Sequence, residues 1–402
     1  MQPDKPPATQ RPERTKVWTV GELLRWTTER FEQVGIDEPR VDAEHLLALA
    51  LDCKRLDLYV QHSRQLSEDE RGPFRELVRR RLSREPVAYI RGNRGFHALD
   101  LDLYVDRRVL IPRPETEHLV DWLLEELPRA PKLAHFEDPP SAAELDAAIS
   151  LRVEEETAAR SLGAVSPELA ETTGGSAAAD DAPTDSADAI SSAASDDPQA
   201  RARTEARTEA RTKEKTRGSA ADANAEPIYV IDVGTGSGAI ALAIKRARPD
   251  VLILAVDRSP EALTVAKANV ERCGLDVRLR RSDLLDDIPT PPGGFHAIAA
   301  NLPYIPTADL EGLQPEVRRF EPMSALDGGA DGLDLVRRLL DRCAEPGVLA
   351  PTGRIYLEIG VGQAPQVLEE LERRGFVDAS ARRDYGGIDR VIAATAPPTE
   401  RA

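Results

Sequence analysis

A short strand that is apolar almost throughout runs directly into a loop with three glycines in five residues. The strand is predicted at Ile228–Val233, and an apolar helical stretch begins at Ala239. Glycine lets a backbone turn sharply and approach a ligand closely, because no Cβ stands in the way. The helix that follows offers unpaired N–H groups to a polar or anionic group. This part of the chain is therefore expected to fold as a strand–loop–helix unit that binds a ligand at the turn.

Strands and helices continue to alternate as far as residue 397, which predicts a doubly wound α/β sheet with mostly parallel strands over 227–397. The further predicted strands are Val251–Val256, Val277–Arg280, Ala297–Ala300, Arg354–Ile359, Val377–Ala381 and Arg390–Ala394. The predicted helices are Ala239–Arg248, Pro260–Cys273, Leu333–Cys343 and Pro365–Arg374. In such sheets ligands bind beyond the carboxyl ends of the strands.

The residues before this sheet predict a separate helical unit. Two capping boxes, Thr19 with Glu22 and Ser67 with Glu70, mark helix starts within residues 17–86, which predict a small helical bundle. The period then changes to an alternation rich in β-forming residues, so 87–113 is predicted to be a β-hairpin linker. Residues 114–128 are expected to form the first helix of the domain that contains the sheet.

Charge and aromatic content are uneven along the 402 residues, whose net charge is −17. Residues 129–226 hold 20 acidic and 11 basic residues and a single aromatic, Phe136. Such a composition cannot bury enough apolar area to offset chain entropy, so we expect a disordered, low-complexity insertion. The alternative interpretation is that residues 129–226 act as a docking segment for a partner. Residues 1–16 are expected to be disordered and contain no apolar signal sequence.

Three widely spaced cysteines, Cys53, Cys273 and Cys343, fit a reducing compartment and offer no zinc-type spacing, so no metal is expected. No apolar run is long enough to span a membrane. The acidic balance disfavours a general nucleic-acid binder. We therefore expect a cytoplasmic protein. A monomer is our expectation for its oligomeric state, on which the sequence has no direct signal.

Residues at the ends of the first three strands are candidates to bind a cofactor that contains adenosine. Asp257 can accept hydrogen bonds from ribose hydroxyls, Asp283 can accept one from an adenine amino group, and Leu284 can pack against the ring. The glycine loop completes this set with Gly234, Thr235, Gly236, Ser237 and Gly238. Because Gly234, Gly236 and Ala239 also satisfy the dinucleotide pattern, a nicotinamide enzyme remains an alternative from these strands alone.

The fourth strand is followed by Asn301-Leu302-Pro303-Tyr304, which resembles the motif of methyltransferases that use S-adenosyl-L-methionine to methylate planar nitrogens. An amide nitrogen is a poor nucleophile, since its lone pair is delocalised into the carbonyl. The Asn301 side-chain oxygen and the Leu302 carbonyl can hold its two hydrogens, Pro303 stiffens the turn, and Tyr304 can cover the planar group. Asn301, Pro303 and Tyr304 are the catalytic candidates, and Asn301 is also expected to contact the cofactor.

Four further stretches make the chain resemble the peptide chain release factor glutamine methyltransferases. They are Pro39–Ala48, Glu85–Leu99, Leu110–Glu117 and Glu316–Asp334. The resemblance implies a seven-stranded, Rossmann-like methyltransferase sheet whose last strand is antiparallel. It also implies a helical N-terminal domain that helps hold a release factor, and methylation of the glutamine in that factor's GGQ loop. Arg113 and Glu115 are expected to hold the linker against the catalytic domain.

Three residues depart from the family pattern: Leu302 replaces a proline, Leu284 replaces an aromatic residue and Gly95 replaces a glutamate. Ribosomal-protein glutamine methyltransferases share the catalytic motif but typically carry a PRSPI-type stretch where this chain has PRPET. The ribosomal RNA adenine dimethyltransferases use NLPY but lack the tail at Glu316–Asp334. A non-catalytic adaptor that binds release factors is a further alternative. It would explain the helical domain but would not need the glycine loop.

Overall fold

The computed structural model of the chain describes residues 17–97, 101–128 and 227–398. The predictions for 1–16 and for the insertion at 129–226 lie outside the described residues. The rest forms a helical N-terminal part, a connecting segment and an α/β sheet.

The N-terminal part is helical, as the capping boxes predicted. Thr19 and Glu22 form a reciprocal box at the start of the first helix, and Ser67 and Glu70 do so at the fourth. Buried apolar side chains of these helices, with Phe31 and Phe74 among the largest, form a core of their own. The helices are α1 (Val20–Gln33), α2 (Pro39–Ala50), α3 (Arg55–Val60) and α4 (Glu68–Leu82), with a short strand pair β1 (Trp18–Thr19) and β2 (Gln65–Leu66).

The predicted hairpin over 87–113 is wrong at its start, because Val87–Arg91 is a helix, α5. Pro86 precedes it, and Gly92 ends it in the left-handed conformation with φ +72°. A run this short cannot distinguish a strand from a buried helical turn by alternation alone. The hairpin itself is confined to β3 (Asn93–Phe96) and β4 (Leu101–Tyr104).

After the helix α6 (Pro114–Glu126), the described chain resumes in a seven-stranded sheet, as the family resemblance implied. Its strands are β5 (Tyr229–Val233), β6 (Leu252–Asp257), β7 (Arg278–Arg281), β8 (Phe295–Ala300), β9 (Leu349–Glu358), β10 (Val377–Arg383) and β11 (Asp389–Thr395). The helices between them are α7 (Ala239–Ala247), α8 (Pro260–Cys273), α9 (Pro315–Phe320), α10 (Asp334–Cys343) and α11 (Ala364–Arg373).

The strand order is β10-β11-β9-β8-β5-β6-β7, and the last strand, β11, is antiparallel to both of its neighbours. The strands from β5 to β9 pair in parallel. From β7 the chain crosses over β5 to form β8 on its other side, so the strand order reverses between β5 and β8. That reversal opens a crevice at the carboxyl ends of these strands, where ligands bind in this fold.

Alternate side chains of β5 lie on opposite faces of the sheet, since successive side chains of a strand point to opposite sides. Ile231 and Val233 pack in one core with α10 and α11, whereas Val230 packs in the other with α6 and α7. The strand is buried on both faces, which explains its continuous apolar sequence.

The connecting segment and the tail join the two parts of the molecule. Tyr89, Val105 and Ile111 share a small core with Val265 of α8. Glu316 of α9 forms ion pairs with Arg81 and Arg84 of the N-terminal part, at 2.9 and 2.7 Å. In the described ranges no helix is both long and apolar enough to cross a membrane.

Candidate active site

The glycine loop between β5 and α7 adopts a conformation that glycine favours at three positions. Gly234, Gly236 and Gly238 have φ values of +73°, +56° and +85°. A Cβ on Gly234 would lie 3.1 Å from the side chain of Leu302, so the loop and the turn after β8 are in close contact. The side chain of Leu302, the departure from the family's proline, fills this contact and is buried.

Asp232, at the end of β5, braces the loop from inside. Its Oδ2 accepts hydrogen bonds from the Thr235 hydroxyl at 2.6 Å and from the backbone N–H of Ala241 at 3.2 Å. Burial raises the pKa of Asp232 to about 7, and these two hydrogen bonds oppose the shift.

Asp257, at the end of β6, fixes the loop from the other side. Its Oδ2 accepts from the N–H of Gly236 and its Oδ1 from the N–H of Ser259, both at 2.9 Å. Burial raises its pKa, while these bonds to the charged form lower it. A carboxylate with lone pairs left over thus stands beside the loop, as an acceptor for hydroxyl groups requires.

Asp283 and Leu284 follow β7 on the same edge. Leu284 has φ +53°, an uncommon conformation for a residue with a side chain, and it is buried against the cleft. Asp283 is paired with Arg338 of α10, with 3.1 Å between Oδ2 and Nη2.

The Asn301–Tyr304 turn is anchored by side chains from distant parts of the sequence. Asn301 donates a hydrogen bond from Nδ2 to the hydroxyl of Thr116, at 3.1 Å. The Tyr304 hydroxyl lies 3.4 Å from Oε1 of Glu358, and burial with this carboxylate raises the pKa of Tyr304. The backbone carbonyl of Tyr304 accepts from the side-chain amide of Gln363, at 2.9 Å.

One cleft brings most of the predicted residues together. Those on its wall are Gly234, Thr235, Gly236, Ser237, Asp257, Asp283, Leu284, Asn301, Leu302 and Pro303. Gly238 and Tyr304 are not on it: Gly238 caps α7 and would meet Leu242 if it carried a Cβ, and Tyr304 points toward Glu358.

Sequence reasoning missed the cleft residues that come from the segment before α6, from the first turn of α6 and from the tail (Glu316–Asp334). They include Arg108, Pro112, Thr116, Pro322, Ser324 and Ala325. Except for Arg108, these residues lie within Leu110–Glu117 and Glu316–Asp334, two of the stretches that carried the family resemblance. The resemblance was therefore the sequence signal that could have identified them. Arg113 lines the cleft and also pairs with the buried Glu321. Nothing in the structure explains Gly95, where an added Cβ would meet no atom within 4 Å.

A doubly wound sheet with this loop and turn defines the class as a methyltransferase, and the methyltransferase domain family model matches residues 230–320. The PrmC N-terminal domain family model matches residues 22–92. The chain belongs to the release factor glutamine methyltransferase family, a family of protein-glutamine N-methyltransferases, and this confirms the resemblance found in the sequence.

Three curated relatives illustrate this similarity, and all three are named release factor glutamine methyltransferase. The one from Geobacter sulfurreducens is 33% identical over 380 residues, which cover 94% of this chain and 98% of the relative. The one from Rhodopirellula baltica is 31% identical over 379 residues, 93% of this chain and 95% of the relative. The one from Gloeobacter violaceus is 47% identical over 166 residues, 40% of this chain and 57% of the relative.

Proposed function

We propose that this protein transfers a methyl group from S-adenosyl-L-methionine to the side-chain amide nitrogen of the glutamine in the GGQ loop of peptide chain release factors. The observation that carries the proposal is the position of Asn301. It lies on the wall of the cleft with its Nδ2 already bonded to Thr116, so Oδ1 is the atom left to accept from a substrate amide. The family membership supports the same substrate.

The residues around the cleft fit the cofactor. The glycine loop brings its backbone to the cleft wall at Gly234 and Gly236 without a Cβ, and Asp257 retains acceptor capacity for ribose hydroxyls beside it. Asp283 and Leu284 would hold the adenine end. When bound, S-adenosyl-L-methionine supplies an electrophilic methyl group on a sulfonium sulfur.

The turn after β8 would orient the glutamine. Asn301 Oδ1 and the backbone carbonyl of Leu302 would each accept one hydrogen of the substrate amide, which fixes the nitrogen in the cleft. Pro303 restricts the backbone of the turn, and Tyr304, anchored near Glu358, limits its movement. Orientation and preformed dipoles account for most of the expected rate enhancement, because no strong base is needed.

The N-terminal helical domain, 17–86, would help to hold the release factor, and residues 129–226 would be a tolerated insertion. We place the reaction in the cytoplasm, where the few, widely spaced cysteines fit a reducing environment.

The test incubates the full-length protein with S-adenosyl-L-methionine labelled in its methyl group and a purified release factor. A matched reaction uses a release factor whose GGQ glutamine is changed to alanine. We expect label in the first factor only, and mass spectrometry of the digested factor should place it on the GGQ peptide. Equal label in both factors would contradict the proposed target, and label that appears only with ribosomal proteins would favour the related ribosomal-protein methyltransferases.

A further inference from the structure

The side-chain amide of Asn301 has two ends of nearly equal size and opposite hydrogen-bonding character. Its oxygen only accepts and its nitrogen only donates, so a rotation by half a turn would present the wrong group to a substrate N–H. Shape alone cannot select the orientation, since the two ends fill the same space. A hydrogen-bonding partner on the protein side must do so.

Thr116 is the partner in this structure. Its Oγ1 accepts from Asn301 Nδ2 at 3.1 Å, although the two residues are 185 positions apart in the sequence. Thr116 lies in the first turn of α6, only 4% exposed, and its backbone N–H is bonded to the carbonyl of Arg113. Its side chain is therefore held in place by packing and by the helix start.

The Thr116 hydroxyl can also donate, but Asn301 Nδ2 carries only donors, so across this contact Thr116 is the acceptor. The buried carboxyl of Glu358, at the end of β9, lies near the same hydroxyl, and its Oε1 is 3.4 Å from the Tyr304 hydroxyl. Burial raises the pKa of Glu358 to about 7, and an acceptor oxygen remains on its carboxyl whether or not it is ionised. Glu358 can therefore take the hydrogen of Thr116 in either state, which leaves the oxygen of Thr116 for the Asn301 N–H.

We propose that Thr116 is a positioning residue that holds the Asn301 amide with its oxygen facing the cleft. Thr116 itself contributes no atom to the reaction. This inference rests on the proposed function for its effect on rate, but the orientation of Asn301 can be measured without it.

The main test replaces Thr116 by valine, which has the same shape and no hydroxyl. We expect kcat for methyl transfer to fall at least about tenfold, because the substrate amide loses its fixed acceptor. KM for the release factor and Kd for the cofactor should stay within about twofold. Thr116→Ser should keep at least about half of the wild-type kcat, since the hydroxyl remains. Thr264→Val is the matched control: Thr264 lies exposed on α8, bonds only to its own helix and should tolerate the change.

A double variant tests whether Thr116 acts through Asn301. If it does, adding Thr116→Val to Asn301→Ala should change the residual rate by less than about twofold. If the double variant instead loses kcat by the product of the two single losses, the proposal is overturned. A Thr116→Ser variant as slow as Thr116→Val would overturn it as well.

A measurement that needs no substrate keeps this result separate from the proposed function. In isotope-labelled full-length protein, the Asn301 side-chain NH₂ signal is assigned by its disappearance in Asn301→Ala. Its hydrogens should be protected from solvent exchange in the wild type and exposed in Thr116→Val. If protection is unchanged, the positioning role is wrong; if protection is lost but the wild type labels no release factor glutamine, the proposed function alone fails.

Discussion

Asn301 is the residue on which the proposed transfer depends most directly. Its Nδ2 is bonded to Thr116 and its side chain lies on the cleft wall, whereas none of the loop contacts around Asp257 involves it. We expect Asn301→Ala still to bind the cofactor, with a change in Kd far smaller than its loss of about 100-fold or more in kcat, because the substrate amide is no longer oriented. Calorimetry and a methyl-transfer assay measure the two quantities.

The control for Asn301 is Asn93→Ala in the hairpin, whose side chain bonds to Asp102. That variant should transfer at the wild-type rate. Full activity in Asn301→Ala would show that the amide is held by other groups.

Glu358 makes the stability of the protein depend on pH. Burial raises its pKa to about 7 from an ordinary value of 4.5; Glu115 adds to the shift, and Thr116, Arg390 and Tyr304 oppose it. Between these two values the folded protein holds a proton that the unfolded chain has released. The free energy of unfolding therefore falls as pH rises from about 4.5 to 7 and levels off above.

Glu358→Gln removes this contribution while keeping a neutral side chain of similar shape. We expect a smaller loss of Tm between pH 4.5 and 7 than in the wild type. Asp232→Asn should act in the same direction, because burial raises the pKa of Asp232 to about 7 as well. Exposed Glu372→Gln is the control, and slopes that do not differ between wild type and Glu358→Gln would contradict the raised pKa.

At the scale of elements, the glycines of the tail let it pack against the catalytic turn. A Cβ on Gly328 would lie 2.6 Å from the carbonyl oxygen of Pro303 and 2.7 Å from that of Gly332. A Cβ on Gly332 would come still closer to the carbonyl of Tyr304. The tail can therefore lie directly on the backbone of the turn, which gives Gly328 and Gly332 a steric reason.

Gly328→Ala should displace the turn, because the atoms it meets are backbone atoms that cannot rotate away. We expect at least a tenfold loss of kcat and about 1–3 kcal/mol of stability, measured by transfer assay and denaturant unfolding. Gly312→Ala is the matched control, since its Cβ would meet nothing within 4 Å. If Gly328→Ala and Gly312→Ala have the same kcat and the same free energy of unfolding, the steric explanation for Gly328 is wrong.

Local sequence pattern predicted the regular elements well, and it missed the short ones. The helix α8 was predicted at its observed bounds, Pro260–Cys273, because Ser259 caps its start and Gly274 ends it. The short helix α9 (Pro315–Phe320) was not predicted, and neither were the two 3₁₀ helices at Thr307–Gly312 and Met323–Ala325. These elements are too short to show a period, and their conformation depends on the groups they pack against.

At the scale of the whole molecule, Glu316 joins the two parts. Its ion pairs with Arg81 and Arg84 are partly buried: the side chain of Arg81 is 7% exposed. Glu316→Gln leaves these arginines with less compensation, and we expect a loss of about 2 kcal/mol in denaturant unfolding. Glu76→Gln breaks an exposed pair with Arg79 within α4 and should cost less than about 0.5 kcal/mol. If both variants lose similar amounts of unfolding free energy, the ion pairs of Glu316 between the two parts do not stabilise the protein.

The insertion at 129–226 lies outside the described residues, but its flanks are well anchored. The carbonyl of Pro128 accepts from Arg248 at 2.9 Å, and that of Ile228 from the N–H of Leu252 at 2.9 Å. Because added chain length between two anchored ends costs little free energy, deletion of residues 135–222 should leave Tm nearly unchanged and the rate of methyl transfer within about twofold of the wild type. A large loss of transfer with an unchanged Tm would instead favour the docking-segment alternative.

The class of fold, the glycine loop and the Asn301–Tyr304 turn could be predicted from the amino-acid sequence, because each depends on neighbouring residues and on local periodicity. The contact of Thr116 with Asn301 and the position of the Tyr304 hydroxyl next to Glu358 came only from the three-dimensional packing. Such contacts join residues far apart in the chain. They form only when the strand order brings the end of β8 beside the end of β9 and α6 packs across both, and no local pattern encodes that packing.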